Sequence, residues 1–322
     1  MPLTARAFWT VAPGRGEIRE ERLDPPTDDQ RLVRVVASGV SRGTEAIVFA
    51  GRVPASQHAT MRAPLMGGGF SFPVKYGYSA VGLLAGGERV FVLHPHQDRF
   101  VAPAAMCIPV PDAVPTWRAV LAANMETALN VMWDSTPLAG ERIMVIGGGT
   151  VGLLAASLLA RMPGANVVVV DSNQAREGLA RGLGCAFATP DTAPDGQELL
   201  VHASGSEAGL RLALSRATFE ARIVEASWFG DGAPALPLGE AFHARRLRLI
   251  SSQVGAVAPA MRHRRSHAER LALALGLLTN PAYDALLQGP TQFEMLPAAM
   301  PRILAPGGLC HVVTYGADAC TA

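Results

Sequence analysis

Lysine is nearly missing from this chain. Lys75 is its only one, and arginine carries almost all of the positive charge. Beside so much alanine, glycine and proline, that reads as coding bias rather than as a binding surface. A formal net charge of +1 leaves no electrostatic footprint for nucleic acid. Cysteine is scarce as well: Cys107, Cys185, Cys310 and Cys320 are widely scattered and form no C-x-x-C pair. That distribution argues against a disulfide framework and against a cysteine zinc cluster. No apolar run reaches membrane-spanning length, and the first residues carry no apolar secretory stretch. A cytoplasmic protein without a membrane partner is expected.

What is present suits a globular enzyme-sized chain. Hydrophobic residues fill 49% of 322 positions, enough for two domains with a core each. The first hundred or so residues read as short β segments between glycines and prolines. Arg31–Val36 alternates, Ser79–Leu84 and Arg89–Leu93 are apolar, and Arg99–Ile108 adds another strand. From about Thr116 the period becomes helical, over Trp117–Trp133. Beyond residue 171 the spacing predicts helix Gln174–Leu183, strand Glu198–Ala203, helix Ser206–Ala217, strands Ala221–Ala226 and Leu247–Ser251, and helix His267–Leu278. Such alternation predicts a doubly wound parallel sheet. Phe293–Leu304 and Leu309–Thr314 then read as a helix and a strand returning to the first domain. The expected fold is α/β: a β-rich domain over 1–115, completed by about 285–322, and a dinucleotide-type domain over 116–284.

Residues 142–171 hold the strongest signal. Arg-Ile-Met-Val-Ile is followed by Gly147, Gly149 and Gly152 on G-x-G-x-x-G spacing, then an apolar helix, then Asn-Val-Val-Val-Val-Asp. The first glycine permits a tight turn, the second lets the backbone approach a pyrophosphate, and the third lets the helix pack on the sheet. Thr150 and Val151 open that helix, whose amides and dipole attract phosphate. Asp171 ends the next strand, placed to accept hydrogen bonds from an adenosine ribose. A carboxylate there favours NAD(H) and repels the 2′-phosphate of NADP(H). No arginine follows it directly, although Arg176 lies one helical turn on. Ser204 and Ser227 stand at the carboxyl ends of later strands, where open α/β sheets bind ligands.

Four pieces carry a family resemblance: Ala-Ser-Gly-Val-Ser-Arg-Gly-Thr-Glu at 37–45, Phe-Pro-Val-Lys-Tyr-Gly-Tyr-Ser-Ala-Val-Gly at 72–82, Gly-Glu-Arg-Val at 87–90, and the glycine turn. In this order they resemble the medium-chain dehydrogenase/reductase superfamily, over essentially the whole chain. The resemblance implies a GroES-like substrate domain, a Rossmann domain with a nicotinamide cofactor, and a small-molecule substrate. It also implies Arg42 against the cofactor pyrophosphate and Thr127 near the nicotinamide. A homodimer is implied through the edge strand Leu247–Ser251, which would pair with its copy. The Ser-Arg-Gly-Thr-Glu segment is similar to that of bacteriochlorophyllide dehydrogenases.

The departures from that family concern zinc. Zinc-dependent members have a cysteine where Ser41 stands and Gly-His-Glu where Gly77-Tyr78-Ser79 stands. The third ligand position falls before Thr127, where Glu126 is the one side chain suited to metal. A hydroxyl and a phenol are poor zinc ligands beside a thiolate and an imidazole. The four cysteines of the structural zinc lobe are missing too, so a zinc-free protein is expected. His94-Pro-His96 has no third partner nearby and reads as a solvated loop. His263 and His267, among Arg262, Arg264 and Arg265, read as a basic surface or a phosphate contact.

Without a metal, charge developing on a substrate oxygen needs another donor. The candidates fill the former zinc pocket: Tyr78 helped by Ser41, with Lys75 and Glu126. A phenol with an ordinary pKa near 10 suits a general acid unless a cation lowers it, and Lys75 is the nearest cation in sequence. The expected activity is zinc-independent hydride transfer between NAD(H) and a carbonyl or secondary alcohol. The alternatives are an NAD(P)H-dependent enone or quinone reductase and a non-catalytic nucleotide-binding protein.

Overall fold

The computed structural model describes residues 3–316; Cys320 and the rest of 317–322 lie outside them. The chain divides into two compact units. Asn124–Arg270 form an inner unit, and the segments on either side form an outer one. The divisions between these units fall at 123/124 and 270/271. Arg118 supplies the reason. Its buried guanidinium holds both oxygens of Asp284 at 2.7 Å and bonds the carbonyls of Leu278 and Thr279, which ties 116–123 and 271–284 into the outer unit. The helical stretch there is two helices, Thr116–Ala119 and Ala122–Ser135.

The outer unit is β-rich. Leu3–Ala12 and Arg15–Leu23 form an antiparallel hairpin, extended by Val74–Lys75 and Gly67–Gly68 into a four-stranded sheet. A seven-stranded sheet contains, in order, Leu287–Gln292, Cys310–Thr314, Gln30–Val40, Ala80–Leu83, Arg89–Val92 and Ile108–Pro109. Its seventh strand, Arg99–Pro103, also pairs with Gln30–Val40. The last strand thus does pair with the start of the chain: His311 lies opposite Val40, and Thr314 opposite Ala37. Phe8, Val33, Val90 and Phe100 from the strands meet Phe293, Leu296 and Met300 in one core. The helix Arg42–Phe49 follows directly on Gln30–Val40, with Ser41 as its N-cap.

The inner unit holds six parallel strands in the order Ala186–Ala188, Asn166–Val170, Arg142–Ile146, Gln197–His202, Ala217–Glu225 and Arg248–Ser251. This is the doubly wound order, reversing between Arg142–Ile146 and Gln197–His202. Both strands beside the reversal are buried on two faces, which is why they are nearly unbroken apolar runs. The predicted helix after Asp171 is a 3-10 turn, Gln174–Arg176, continuing as Glu177–Gly182. Arg248–Ser251 lies at the open edge of the sheet. Among the described residues no helix is long and apolar enough to cross a membrane.

Candidate functional site

The glycine turn is built from backbone. Gly147 N–H donates to the Val170 carbonyl and Ala203 N–H to the Ile146 carbonyl, both at 2.8 Å, so three strand ends meet there. Gly147 has φ +109°, and a Cβ on it would lie 2.7 Å from Ser204 N; only glycine fits. A Cβ on Gly152, in the first turn of helix Thr150–Leu159, would collide with the Gly147 carbonyl oxygen. A Cβ on Gly149, the N-cap, would meet nothing within 4 Å. The first and third glycines serve the protein's own packing, and the second faces open space, as a pyrophosphate seat requires. Thr150 and Val151 follow it half-buried, and the leading amides of a helix have no partner within it.

Asp171 closes the far side of the turn. Its Oδ2 accepts from Gly148 N–H at 2.6 Å and its Oδ1 from Asn173 N–H at 2.7 Å. The carboxylate is locked in place with lone pairs to spare. Arg176 is buried and packs over the same turn: a Cβ on Gly148 would lie 3.1 Å from Arg176 Cγ and 3.2 Å from Asp171 Oδ2. A cavity of about 1110 Å³ in this unit is lined by Gly147, Asp171, Ser204 and Ser206 among others.

Ser204 and Ser227 belong to one hydrogen-bond network, together with two residues that sequence reasoning missed. Glu225 Oε2 lies 2.6 Å from His202 Nδ1, and His202 Nε2 lies 2.6 Å from Ser204 Oγ. Ser227 N–H donates to Glu225 Oε1 at 2.7 Å, and Gly205 N–H to Ser227 Oγ at 3.0 Å. The available hint was a histidine closing an otherwise apolar strand, Leu-Leu-Val-His.

In the outer unit Ser41 and Tyr78 do meet. Side-chain hydrogen bonds from Ser41 and Thr44 reach the Tyr78 oxygen and restrain its pKa, but burial and the Glu45 carboxylate push the phenol up to about 12. Ser41 N–H donates to Glu45 Oε1 at 2.7 Å. Lys75 is not the cation for this phenol: its Nζ sits 2.6 Å from Glu21 Oε2 and 2.9 Å from Gln97 Oε1, over the Trp9 ring. Pairing of Val74 with Thr10 places Lys75 alongside the hairpin that carries Glu21. Glu126, in the inner unit, is committed to Arg270, whose Nε lies 3.0 Å from its Oε1; both are buried. Burial raises the Glu126 pKa even so. Arg42 is half-buried, and a Cβ on Gly308 would lie 3.2 Å from its Cδ. Thr127 is half-buried on Ala122–Ser135.

His94 and His96 do not form a solvated loop. Phe8 N–H donates to the His96 carbonyl, which binds this segment to the first strand. His96 is fully buried, its Nε2 3.0 Å from Glu45 Oε2 and its Nδ1 2.8 Å from Ser38 Oγ, which in turn bonds Tyr315 at 2.8 Å. His94 stacks on Phe100 at 3.6 Å, and burial drives its pKa down to about 3.

The donors at the former ligand positions do not fit a zinc ion. A serine hydroxyl and a phenol pushed up to about 12 are bonded to each other, and the Cys310 thiol near that phenol is itself pushed up to about 12 by burial and Glu45, so it stays protonated. Among the described residues no three His, Cys, Asp or Glu side chains gather as a metal site.

No family model matches the chain. It is similar to an uncharacterized zinc-type alcohol dehydrogenase-like protein of Haemophilus influenzae, 31% identical over 138 residues, which are 39% of this chain and 40% of that protein. The chain therefore matches about two fifths of that relative's length. Among solved structures it is similar to L-idonate 5-dehydrogenase of Escherichia coli K-12, with TM-score 0.80 and 13% identity, covering 98% of this chain and 99% of that one. An alcohol dehydrogenase of Escherichia coli CFT073, solved with NADH, matches with TM-score 0.77 and 17% identity, covering 97% and 99%. By fold over nearly its full length the chain is similar to these dehydrogenases, and by sequence over about two fifths of it to the zinc-type alcohol dehydrogenase-like protein.

Proposed function

We propose that this protein is a zinc-independent oxidoreductase, moving a hydride between NAD(H) and a carbonyl or secondary-alcohol substrate. The observation that carries the reading is the glycine turn: closed by packing at Gly147 and Gly152, open at Gly149, and faced by the locked carboxylate of Asp171. A nicotinamide dinucleotide bound there would supply or take up the hydride. Gly149, Thr150 and Val151 offer amides to its pyrophosphate, and Asp171 offers its remaining lone pairs to the adenosine ribose. Arg42, Thr127, Ser204 and Ser227 are the further contacts that the reading assigns. In the outer unit, Tyr78 donates a hydrogen bond to the substrate oxygen as it gains charge. Ser41 and Thr44 hold the phenol oxygen, and burial keeps its proton in place. Lys75 and Glu126 are each spent in an ion pair, with Glu21 and Arg270.

Fluorescence titration with NADH and NADPH, followed by turnover on a panel of ketones, secondary alcohols and enones, tests this. NADH should bind more tightly. Tighter NADPH binding assigns Arg176 to a 2′-phosphate and overturns the NAD(H) preference; binding of neither overturns the reading. Elemental analysis of protein purified without chelator should find no zinc, and one zinc per chain would refute that part. The open edge strand Arg248–Ser251 supports a two-fold homodimer, which light scattering at micromolar concentration would check. Among the described residues Cys107, Cys185 and Cys310 are free thiols, which suits a reducing cytoplasm.

A further inference from the structure

We propose a second reactive centre in the inner unit: Ser204, activated by His202 and Glu225, is a nucleophile that accepts an acyl group from an activated carboxylic ester. A nucleophile, a base within hydrogen-bond reach and a third group orienting that base define such a centre, whatever their order in the chain. Here both links measure 2.6 Å. Glu225 is anchored on its other oxygen by Ser227 N–H, so it presents Oε2 to His202 Nδ1 in a fixed direction. That carboxylate accepts a hydrogen bond from Nδ1–H, and the tautomer it selects leaves Nε2 as the acceptor for the Ser204 hydroxyl. His202 is wholly buried and stacked near Phe229, while Ser204 is exposed and lines the 1110 Å³ cavity.

The surrounding backbone keeps room for the pair. Gly209 lies in the helix Glu207–Arg216, and a Cβ on it would strike Ser204 Oγ and stand 2.8 Å from His202 Nε2. Ser204 Oγ also touches the N-cap residue, lying 2.8 Å from Ser206 Oγ and accepting from Ser206 N–H at 3.3 Å, but it does not itself cap the helix. Ser206 is the N-cap and alone accepts from Gly209 N–H, at 3.1 Å. Ser204 also occupies a strand-to-helix connection at the carboxyl end of a central strand, with Gly205 at φ +64° directly after it.

The step is an ordinary acyl transfer. Ser204 Oγ bonds to the ester carbonyl carbon as its proton passes to His202 Nε2. When the tetrahedral centre collapses, the carbon–oxygen bond to the leaving alcohol breaks, and the departing oxygen takes that proton. Water then attacks the acyl carbon by the same route, releasing a carboxylic acid and restoring the serine.

The test treats the full-length protein, without dinucleotide, with an alkyl fluorophosphonate and separately with p-nitrophenyl acetate. The expected result is one phosphonyl adduct per chain, mapped to Ser204 by peptide mass spectrometry, and a burst of p-nitrophenolate. Ser204→Ala should abolish both, and His202→Gln should slow both on the order of a hundredfold, with circular dichroism unchanged. Absence of the adduct in folded protein, an adduct on another residue, or labelling that survives Ser204→Ala overturns the proposal. Dinucleotide binding is measured separately, so failure here leaves the oxidoreductase reading untouched.

Discussion

Among the described residues each unit contains a serine–histidine–glutamate chain, and the two differ in where the hydroxyl ends. In the outer unit Glu45, His96 and Ser38 are all buried, and the chain runs on into the buried Tyr315. In the inner unit Glu225 and His202 lead to Ser204 at the surface. The bonding is nearly the same, but the consequences are not. A relay closed inside a core satisfies buried polar groups and fixes one packing arrangement. The same relay opened to solvent presents an activated oxygen to anything that enters the cavity. Exposure of the terminal hydroxyl separates the two roles.

The largest difference should appear in stability. Glu45→Ala strands His96 and the Ser41 amide inside the core, at a cost of about 3–5 kcal/mol in urea unfolding. Glu225→Gln keeps a hydrogen-bonding group of the same shape and should stay within about 1 kcal/mol of wild type while slowing acylation. Equal losses in the two variants would erase the distinction. Next comes Tyr78→Phe, beside the closed relay: turnover of any carbonyl that the protein reduces should fall on the order of a hundredfold, with cofactor affinity unchanged. A loss of only a few-fold would make Tyr78 a space-filler.

Gly209→Ala sharpens the comparison from the other side. The added methyl should cost about 1–3 kcal/mol and suppress labelling of Ser204, despite the helix propensity that alanine gains. Gly178→Ala, in helix Glu177–Gly182 with nothing near its Cβ, should stabilise by about 0.5–1 kcal/mol and so serves as the control. The closed relay also has a pH-sensitive neighbour, His94. Its pKa falls from 6.5 unfolded to about 3 folded, so the unfolded chain binds a proton that the native state refuses. Stability is complete above 6.5 and drains as pH drops, by about 1 kcal/mol over the first unit below it. The fall in melting temperature between neutral and mildly acidic buffer should be smaller for His94→Phe than for the wild type, because the substitution removes the titrating group.

Local signals were legible in the sequence. The G-x-G-x-x-G spacing, the acid closing the next strand and the alternation of periods each lie within a short window, and they lead to the observed parallel sheet. Gly147 and Gly152 could be assigned because their neighbours are near in sequence or fixed by the fold. What escaped depended on partners far along the chain. Lys75 finds Glu21, Glu126 finds Arg270, and Arg118 finds Asp284. His96 was misjudged for the same reason, since Glu45 and Ser38 lie in an earlier strand and helix. The hairpin Leu3–Ala12 with Arg15–Leu23 also escaped, because its second strand buries almost nothing and shows no clean alternation.

The pairing of Cys310–Thr314 with Gln30–Val40 governs the order in which the protein can be made. The inner unit is contiguous, and its six strands pair among themselves. It can complete its sheet while the ribosome is still adding the remainder. The outer unit has to wait: Phe8 and Val33 gain Phe293, Leu296 and Met300 only after the middle of the chain has been translated. During that interval its early apolar strands are uncovered, and contacts of such long sequence separation form slowly. Demand for chaperones and exposure to proteases should therefore concentrate on the first third of the nascent chain and end with synthesis of the last strand.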